Sequence, residues 1–278
     1  MKRSRLRSFR VRAALVWAAV AVGVVLLAVF TQAVLAAVLL GTAVCVSVTV
    51  LLYRRLIGNL MPAVVKGRAY SERRTEALFT LHSVCRPETA LPLMQGWALS
   101  ADFLVEVLLR AQQFAEPTIL ECGSGASTAW LGLWLKRRGG GRIVSLENDA
   151  GFAEQVRASV AQAGVEEFVQ VVHAPLTKHV VDGREWTWYS LDGVRLSSID
   201  VLIVDGPPYW VHEIARYPAV PLLSQYLSDD AVVFLHDTDR PAEKRVLGLW
   251  LAEQPGWRST VIPTERGAAV VTTAPAGS

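Results

Sequence analysis

Residues able to carry chemistry collect at a few points in the chain. Residues 121–128 read Glu-Cys-Gly-Ser-Gly-Ala-Ser-Thr, and Glu147-Asn148, Asp205-Gly-Pro-Pro208 and His236-Asp237-Thr-Asp239 follow. Gly123 and Gly125 permit positive φ angles and let the backbone approach a ligand closely. The hydroxyls of Ser127 and Thr128 suit the start of a helix at Ala129. Glu147 lies about twenty residues beyond the glycines, the spacing at which a strand-end carboxylate accepts hydrogen bonds from both hydroxyls of a ribose. Asp205, His236, Asp237 and Asp239 offer carboxylates and an imidazole for proton transfer or for an oxygen-preferring metal ion.

An isolated Gly-x-Gly describes only a tight strand-to-helix turn, so its weight here comes from Glu121, Glu147 and the later acidic positions. A dinucleotide fingerprint would place a third Gly or Ala three residues beyond Gly125 for close helix packing. That position is Thr128. No Gly-x-x-x-x-Gly-Lys loop is present, which disfavours nucleoside triphosphates.

These residues need a scaffold, and from Pro117 onward short β-rich runs alternate with helical stretches, the pattern of a parallel sheet with helices on both faces. Five strands are expected at 118–122, 142–147, 168–173, 199–205 and 231–236. A closing antiparallel pair is expected at 258–263 and 268–273 around the Glu265-Arg266-Gly267 turn. The glycine loop then follows the first strand, where open parallel sheets bind ligands. Ahead of the sheet, residues 56–116 read as a juxtamembrane linker, interrupted by Pro62, Pro87 and Pro92, and a helical cap with Leu104, Leu108 and Ala111 on one stripe. Residues 274–278 form a tail.

Charge divides the 278 residues sharply. Residues 1–70 carry ten Lys/Arg and no Asp/Glu, leaving eighteen against twenty-five in the remainder. Confinement of the basic excess to the N-terminal segment argues against nucleic acid as a partner. From Ala13 to Tyr53 the chain is almost without charge, and as one helix this run would measure about 60 Å, twice the hydrocarbon thickness of a bilayer. Thr31-Gln32 is its one clearly polar pair. The domain 1–55 is therefore expected to hold two transmembrane helices, about 13–30 and 33–53, joined by a very tight turn. Basic residues on both flanks (Lys2 to Arg12, and Arg54, Arg55, Lys66 and Arg68) put both ends in the cytoplasm. A cleaved signal peptide is disfavoured by the length of the run. Cys45, Cys85 and Cys122 lie too far apart in sequence for a metal spacing or a disulfide framework.

Trp186-Thr-Trp-Tyr189 is read as packing a loop against the sheet, and Tyr209-Trp210 as lining a pocket. Arg216, Arg240 and Glu243 suggest an ion-pair network near the active face. His82, His179 and His212 have no ligand-like spacing and read as surface residues.

With Glu121–Thr128, Glu147 and Asp200-Val-Leu-Ile-Val-Asp-Gly-Pro-Pro208 in view, the chain resembles the class I S-adenosylmethionine-dependent methyltransferases. It is most similar to the family-24 type domains, through Asp205–Pro208, Ala215-Arg-Tyr-Pro-Ala-Val-Pro-Leu-Leu223, Leu235-His-Asp-Thr-Asp-Arg240, Glu243, Trp250 and Gly96-Trp-Ala-Leu-Ser-Ala-Asp102. The likeness covers roughly residues 90–273. It implies an α/β, Rossmann-like seven-stranded sheet over 117–273 in the order 3-2-1-4-5-7-6, with strand seven antiparallel. It also implies S-adenosyl-L-methionine as cofactor, held by Glu121, Gly123, Ser124, Gly125, Ser127, Thr128, Glu147, Asn148 and Asp205, with His173 and Ala174 beside the adenine.

Asp205, His236 and Asp237 are the catalytic candidates. A magnesium ion held by Asp205 and Asp237, as in catechol-type relatives, would lower the pKa of an acceptor hydroxyl. Metal-free base catalysis by His236 is the alternative, and His236-Asp237 departs from the acidic pair of many relatives. The function expected is methylation, on oxygen, of a small-molecule or lipid-linked acceptor such as a glycan precursor at the cytoplasmic face of a bilayer. A non-catalytic membrane-tethered binding module and an NAD-dependent oxidoreductase are the alternatives.

Overall fold

The computed structural model describes residues 2–94, 96 and 98–273, without the side chains of residues 2–11, 13 and 63. Trp97 of the Gly96–Asp102 motif and the tail at 274–278 lie outside the described residues. The chain forms two compact units, residues 1–67 and 68–278.

The first unit is helical throughout. Helix α1 spans Lys2–Cys85, so the expected turn at Thr31-Gln32 and the division into two helices are corrected. Neither residue is Gly or Pro, and Thr31 returns its hydroxyl to the carbonyl of Ala28 at 2.9 Å. Thr42 and Thr49 do the same to Leu39 and Cys45. The polar side chains thus find partners on their own helix and impose no break. Pro62 also lies inside α1, so it does not interrupt the segment as expected. The large apolar side chains between Leu15 and Val65 are exposed. Among the described residues this is the single helix long and apolar enough to cross a membrane.

The second unit is built on a seven-stranded sheet. Its strands are β1 (Thr118–Cys122), β2 (Arg142–Glu147), β3 (Val169–His173), β6 (Ile199–Val204), β7 (Leu227–His236), β8 (Arg258–Ile262) and β9 (Ala268–Thr272). A separate antiparallel hairpin, β4 (Leu176–Val181) and β5 (Arg184–Tyr189), interrupts the sequence between β3 and β6. The sheet order is β3-β2-β1-β6-β7-β9-β8. With the hairpin set aside this is the expected 3-2-1-4-5-7-6, and β9 runs antiparallel to both neighbours. The hairpin was not anticipated, although Asp182-Gly183 between two β-rich runs is a standard two-residue hairpin turn.

Alternation along the strands assigns the two faces. Ile119, Ile143, Val201, Ile203, Val232 and Phe234 point to one side. There they meet the end of α1 (Ala77, Leu81, Cys85), α2 (Ala101–Ala111), α3 (Ala126–Arg138) and α4 (Ala150–Ala163). Leu120, Val144, Leu146, Leu202, Val204, Val233 and Leu235 point to the other side. That side is covered by Trp188 and Tyr189 of the hairpin, by α5 (Ala219–Leu223) and by α6 (Pro241–Glu253). The helix expected as a cap is therefore one layer of the domain: α2 buries Phe103, Leu104, Val107 and Leu108 against the sheet. Every parallel strand delivers its carboxyl end to the same edge, and the chemistry-bearing residues collect there.

Candidate active site

The turn after β1 is fixed by Glu121. This side chain is fully buried and accepts hydrogen bonds from the hydroxyls of Ser127 at 2.5 Å, Thr128 at 2.6 Å and Ser145 at 2.7 Å. Burial pushes its carboxyl up to about 7, the three hydroxyls opposing the rise and the charge of Asp205 adding to it. Helix α3 begins at Ala126, earlier than expected, with Gly125 as its N-cap. Thr128 reaches back to accept the Gly125 N–H at 3.0 Å, while the Ser127 hydroxyl is spent on Glu121. Gly123 has φ of +101°, and a Cβ there would stand 3.3 Å from the backbone nitrogen of Gly206, so the loops after β1 and β6 meet at glycine.

These loops border a cavity of about 520 Å³, a size suited to a small ligand or cofactor. At one end lie Gly123, Ser124, Glu147, Asn148, Asp149 and Phe152. The Glu147 carboxylate accepts from the Ser124 hydroxyl at 3.0 Å and from the Asp149 N–H at 2.9 Å, one bond on each oxygen. A carboxylate has about four acceptor positions, so each oxygen retains capacity for a ligand hydroxyl. At the other end lie Tyr189, Asp205, Gly206, Pro208, Tyr209, Trp210, Arg216, Asp237, Arg240 and Arg266.

Arg216 dominates this second end. It is almost fully buried and bonds Asp205 Oδ1 at 3.0 Å and Asp237 Oδ2 at 2.8 Å through Nη2, and the His236 carbonyl at 2.8 Å through Nη1. Glu243 lies 3.7 Å from its Nη1. Burial works against its charge, yet the three carboxylates keep the guanidinium firmly protonated. Asp237 adopts a left-handed φ of +62°, a costly conformation for a non-glycine residue, and its carboxylate also meets Arg240 at 3.0 Å. His236 is fully buried and its Nδ1 lies 2.8 Å from Asp205 Oδ1. Burial alone would lower its pKa, but Asp205 and Asp237 raise it to about 9, so the ring is an imidazolium at neutral pH.

The cavity brings together six of the expected residues: Gly123, Ser124, Glu147, Asn148, Asp205 and Asp237. The other expected cofactor and catalytic residues lie off its wall. Glu121, Ser127 and Thr128 are buried beneath the loop and order it, and Gly125 caps α3. Ala174 is buried and donates its N–H to the Glu147 carbonyl, and His173 is exposed; neither lines the cavity. His236 also lies outside the wall, with its Nδ1 against Asp205. Trp188 packs the hairpin as expected, whereas Tyr189 beside it reaches the cavity. Asp149, Phe152 and Arg266 were missed, and Arg216, Arg240 and Glu243 form the expected network but include Asp205 and Asp237 in it.

The ligating atoms of Asp205, His236 and Asp237 lie within 4.8 Å of one another. The donor set nonetheless does not fit a divalent cation. A magnesium ion needs free oxygen donors at about 2.0–2.1 Å, and here Asp205 Oδ1 and Asp237 Oδ2 already hold the Arg216 guanidinium.

Comparison with known proteins places this arrangement. Residues 120–238 match a methyltransferase domain. The matched segment thus runs from β1 to the loop after β7 and includes Glu121, Glu147, Asp205 and Asp237. A curated relative, the catechol O-methyltransferase of Mycobacterium tuberculosis, is 29% identical over 153 residues. That alignment takes in 52% of this chain, and the chain spans 64% of the relative's length. Similar solved structures include the O-methyltransferase of Bacillus cereus in complex with SAH, 16% identical, covering 72% of this chain and 90% of that one with a TM-score of 0.46. The O-methyltransferase of Streptomyces achromogenes involved in tomaymycin synthesis, in complex with SAM, is 21% identical over 72% of this chain and 90% of that one, with a TM-score of 0.45.

Two outcomes follow from the packing of the matched segment. A methyl group at Gly206 would meet the Tyr189 hydroxyl at 2.0 Å, so Gly206→Ala lowers the melting temperature by several degrees. Adding Tyr189→Phe to that variant recovers part of the loss, a coupling read by a double-mutant cycle. The second concerns pH. Because the Glu121 carboxyl is raised from 4.5 to about 7 in the folded protein, the native state binds this proton more tightly than the unfolded chain does. Its stabilising contribution is full below pH 4.5 and is lost as pH rises towards 7. Glu121→Gln therefore removes a decline in unfolding free energy over that interval, measured by urea denaturation at several pH values.

Proposed function

We propose that this chain is an S-adenosylmethionine-dependent methyltransferase acting on an acceptor oxygen, tethered to a membrane by α1. The observation that carries the reading is one cavity with Glu147 at the end of β2 and Asp205 at the end of β6 within a segment matching a methyltransferase domain. Glu147 suits the ribose diol and Asn148 lies beside it, while Gly123 and Ser124 suit the amino-acid portion of the cofactor. The catechol O-methyltransferase relative supports oxygen as the acceptor atom.

When bound, the cofactor supplies an electrophilic methyl group on a sulfonium. The protein has to align the acceptor and receive its proton. Asp205 faces the cavity with Oδ1 fixed by Arg216 and His236, which holds the carboxylate in one orientation. It would accept the acceptor's hydrogen bond and receive its proton on methyl transfer. Arg216 and the His236 imidazolium stabilise negative charge developing on the acceptor oxygen through the same carboxylate. No divalent ion enters this scheme.

The apolar surface of α1 supports the membrane tether, and Arg54, Arg55, Lys66 and Arg68 after it favour a cytoplasmic methyltransferase domain. A lipid-linked acceptor would be within reach of such a domain, and a soluble one would serve equally.

Three measurements test these readings. Calorimetry detects binding of S-adenosylmethionine and no binding of NAD. Glu147→Ala weakens the former by roughly 10- to 150-fold, the worth of a charged hydrogen bond. Labelled methyl transfer into membrane extracts falls about 100-fold or more in Asp205→Asn, but survives exhaustive chelation and gains nothing from added magnesium. The chain partitions with membranes, and a C-terminal tag withstands protease applied to intact cells.

A further inference from the structure

The acceptor end of the cavity holds more positive than negative charge. Its wall carries the guanidiniums of Arg216, Arg240 and Arg266 against the carboxylates of Asp205 and Asp237. Directly behind the wall stand His236, against Asp205, and Glu243, against Arg216 and Arg240. Asp239 is exposed and lies outside the wall, and Glu147 and Asp149 belong to the opposite end.

The three arginines are not equivalent. Arg216 has 8% side-chain exposure and is spent on Asp205, Asp237 and the His236 carbonyl. Arg240 and Arg266 retain 36% and 33% exposure. Among the described residues, the ion pairs of Arg240 to Asp237 and Glu243 run through Nη1, and Arg266 uses Nη2 on the Gly96 carbonyl while its Nη1 stands 4.0 Å from Asp237. A guanidinium has five N–H donors in a planar fork that matches a carboxylate or phosphate, so both keep donors for a ligand.

Their positions are built into the fold. The β8–β9 turn is locked to the loop after β7 by Thr238 N–H to the Gly267 carbonyl and Asp239 N–H to the Arg266 carbonyl, both at 3.1 Å. Gly267, with φ of +72°, would drive a Cβ to within 2.7 Å of Asp239, so the turn holds Arg266 where only glycine fits behind it. Arg240 is the N-cap of α6. Tyr209 and Trp210, 5.4 Å apart at 78°, are exposed and line the same cavity.

We propose that the methyl acceptor is an anion: a hydroxylated, ring-bearing compound whose carboxylate or phosphate pairs with Arg240 and Arg266 while its ring rests on Tyr209 and Trp210. The proposal rests on the methyltransferase reading and names the substrate class for that site. Resident cations make the cavity attractive to such a ligand before contact and orient it once bound. The sulfonium of the proposed cofactor would add to the same field.

The test uses the full chain in detergent, loaded with S-adenosylhomocysteine so that no turnover occurs. Calorimetric titration compares 3,4-dihydroxybenzoate, 4-hydroxyphenyl phosphate and the neutral 3,4-dihydroxybenzyl alcohol. At least one anion is expected to bind about 10-fold or more tightly than the alcohol, with a preference that shrinks as salt is raised. In Arg240→Gln/Arg266→Gln the preference falls to within about twofold, while retained S-adenosylhomocysteine binding reports an intact fold. The anion that wins distinguishes carboxylate from phosphate. Equal binding of alcohol and anions, no binding of either anion at millimolar concentration, or a preference that persists in the double variant overturns the proposal. Failure of S-adenosylhomocysteine to bind overturns the methyltransferase reading separately, since the anion preference can still be read on the unloaded protein.

Discussion

A buried guanidinium is costly unless its charge is matched, and Arg216 is matched by groups from both strand ends that meet at the cavity. Asp205 follows β6, Asp237 follows β7, and Glu243 sits in the first turn of α6. Losing any one of them would leave charge uncompensated in a low-dielectric setting, where breaking a buried pair costs several kcal/mol. The left-handed backbone at Asp237 is understandable on the same ground: it aims a carboxylate at Arg216 and Arg240 that an ordinary strand exit would aim elsewhere. The orientation of Asp205 and the unsuitability of the cluster for a divalent cation both descend from this one placement.

Much of the scaffold was legible in the sequence because period-two burial is written into each strand. Ile119 and Leu120, or Ile203 and Val204, go to opposite layers, and the β1, β2, β6 and β7 segments were readable from that pattern with their edges within a few residues. The hairpin at 176–189 was not, since its strands are only partly buried and carry Lys178, His179, Arg184 and Glu185 among their apolar positions. The proposed turn at Thr31-Gln32 failed for a different reason. It was inferred from the length of the apolar run and a bilayer's thickness, and no local residue compels it.

The site was readable in part, and the errors share a cause. Glu121 and Glu147 look alike in sequence, but Glu147 is the last residue of its strand and reaches past the sheet edge. Glu121 is one residue short of the end of β1 and points sideways under α3. Composition cannot make that distinction without register. The burial of His236 and its contact with Asp205 leave no trace in the sequence. Arg216 lies in the irregular stretch between Asp205 and α5, and its carboxylate partners are up to twenty-seven positions away, so only folding shows what it holds.

The three hydroxyls on Glu121 come from the first turn of α3 and from the neighbouring strand β2, and they hold the glycine loop in shape through the protein's own contacts. Shape that exists beforehand does not have to be created on binding, so the ordering entropy that a flexible loop would subtract from affinity has already been met during folding. The loop then behaves as part of the sheet's rigid edge, a fixed wall of the cavity that Tyr209 and Trp210 also line.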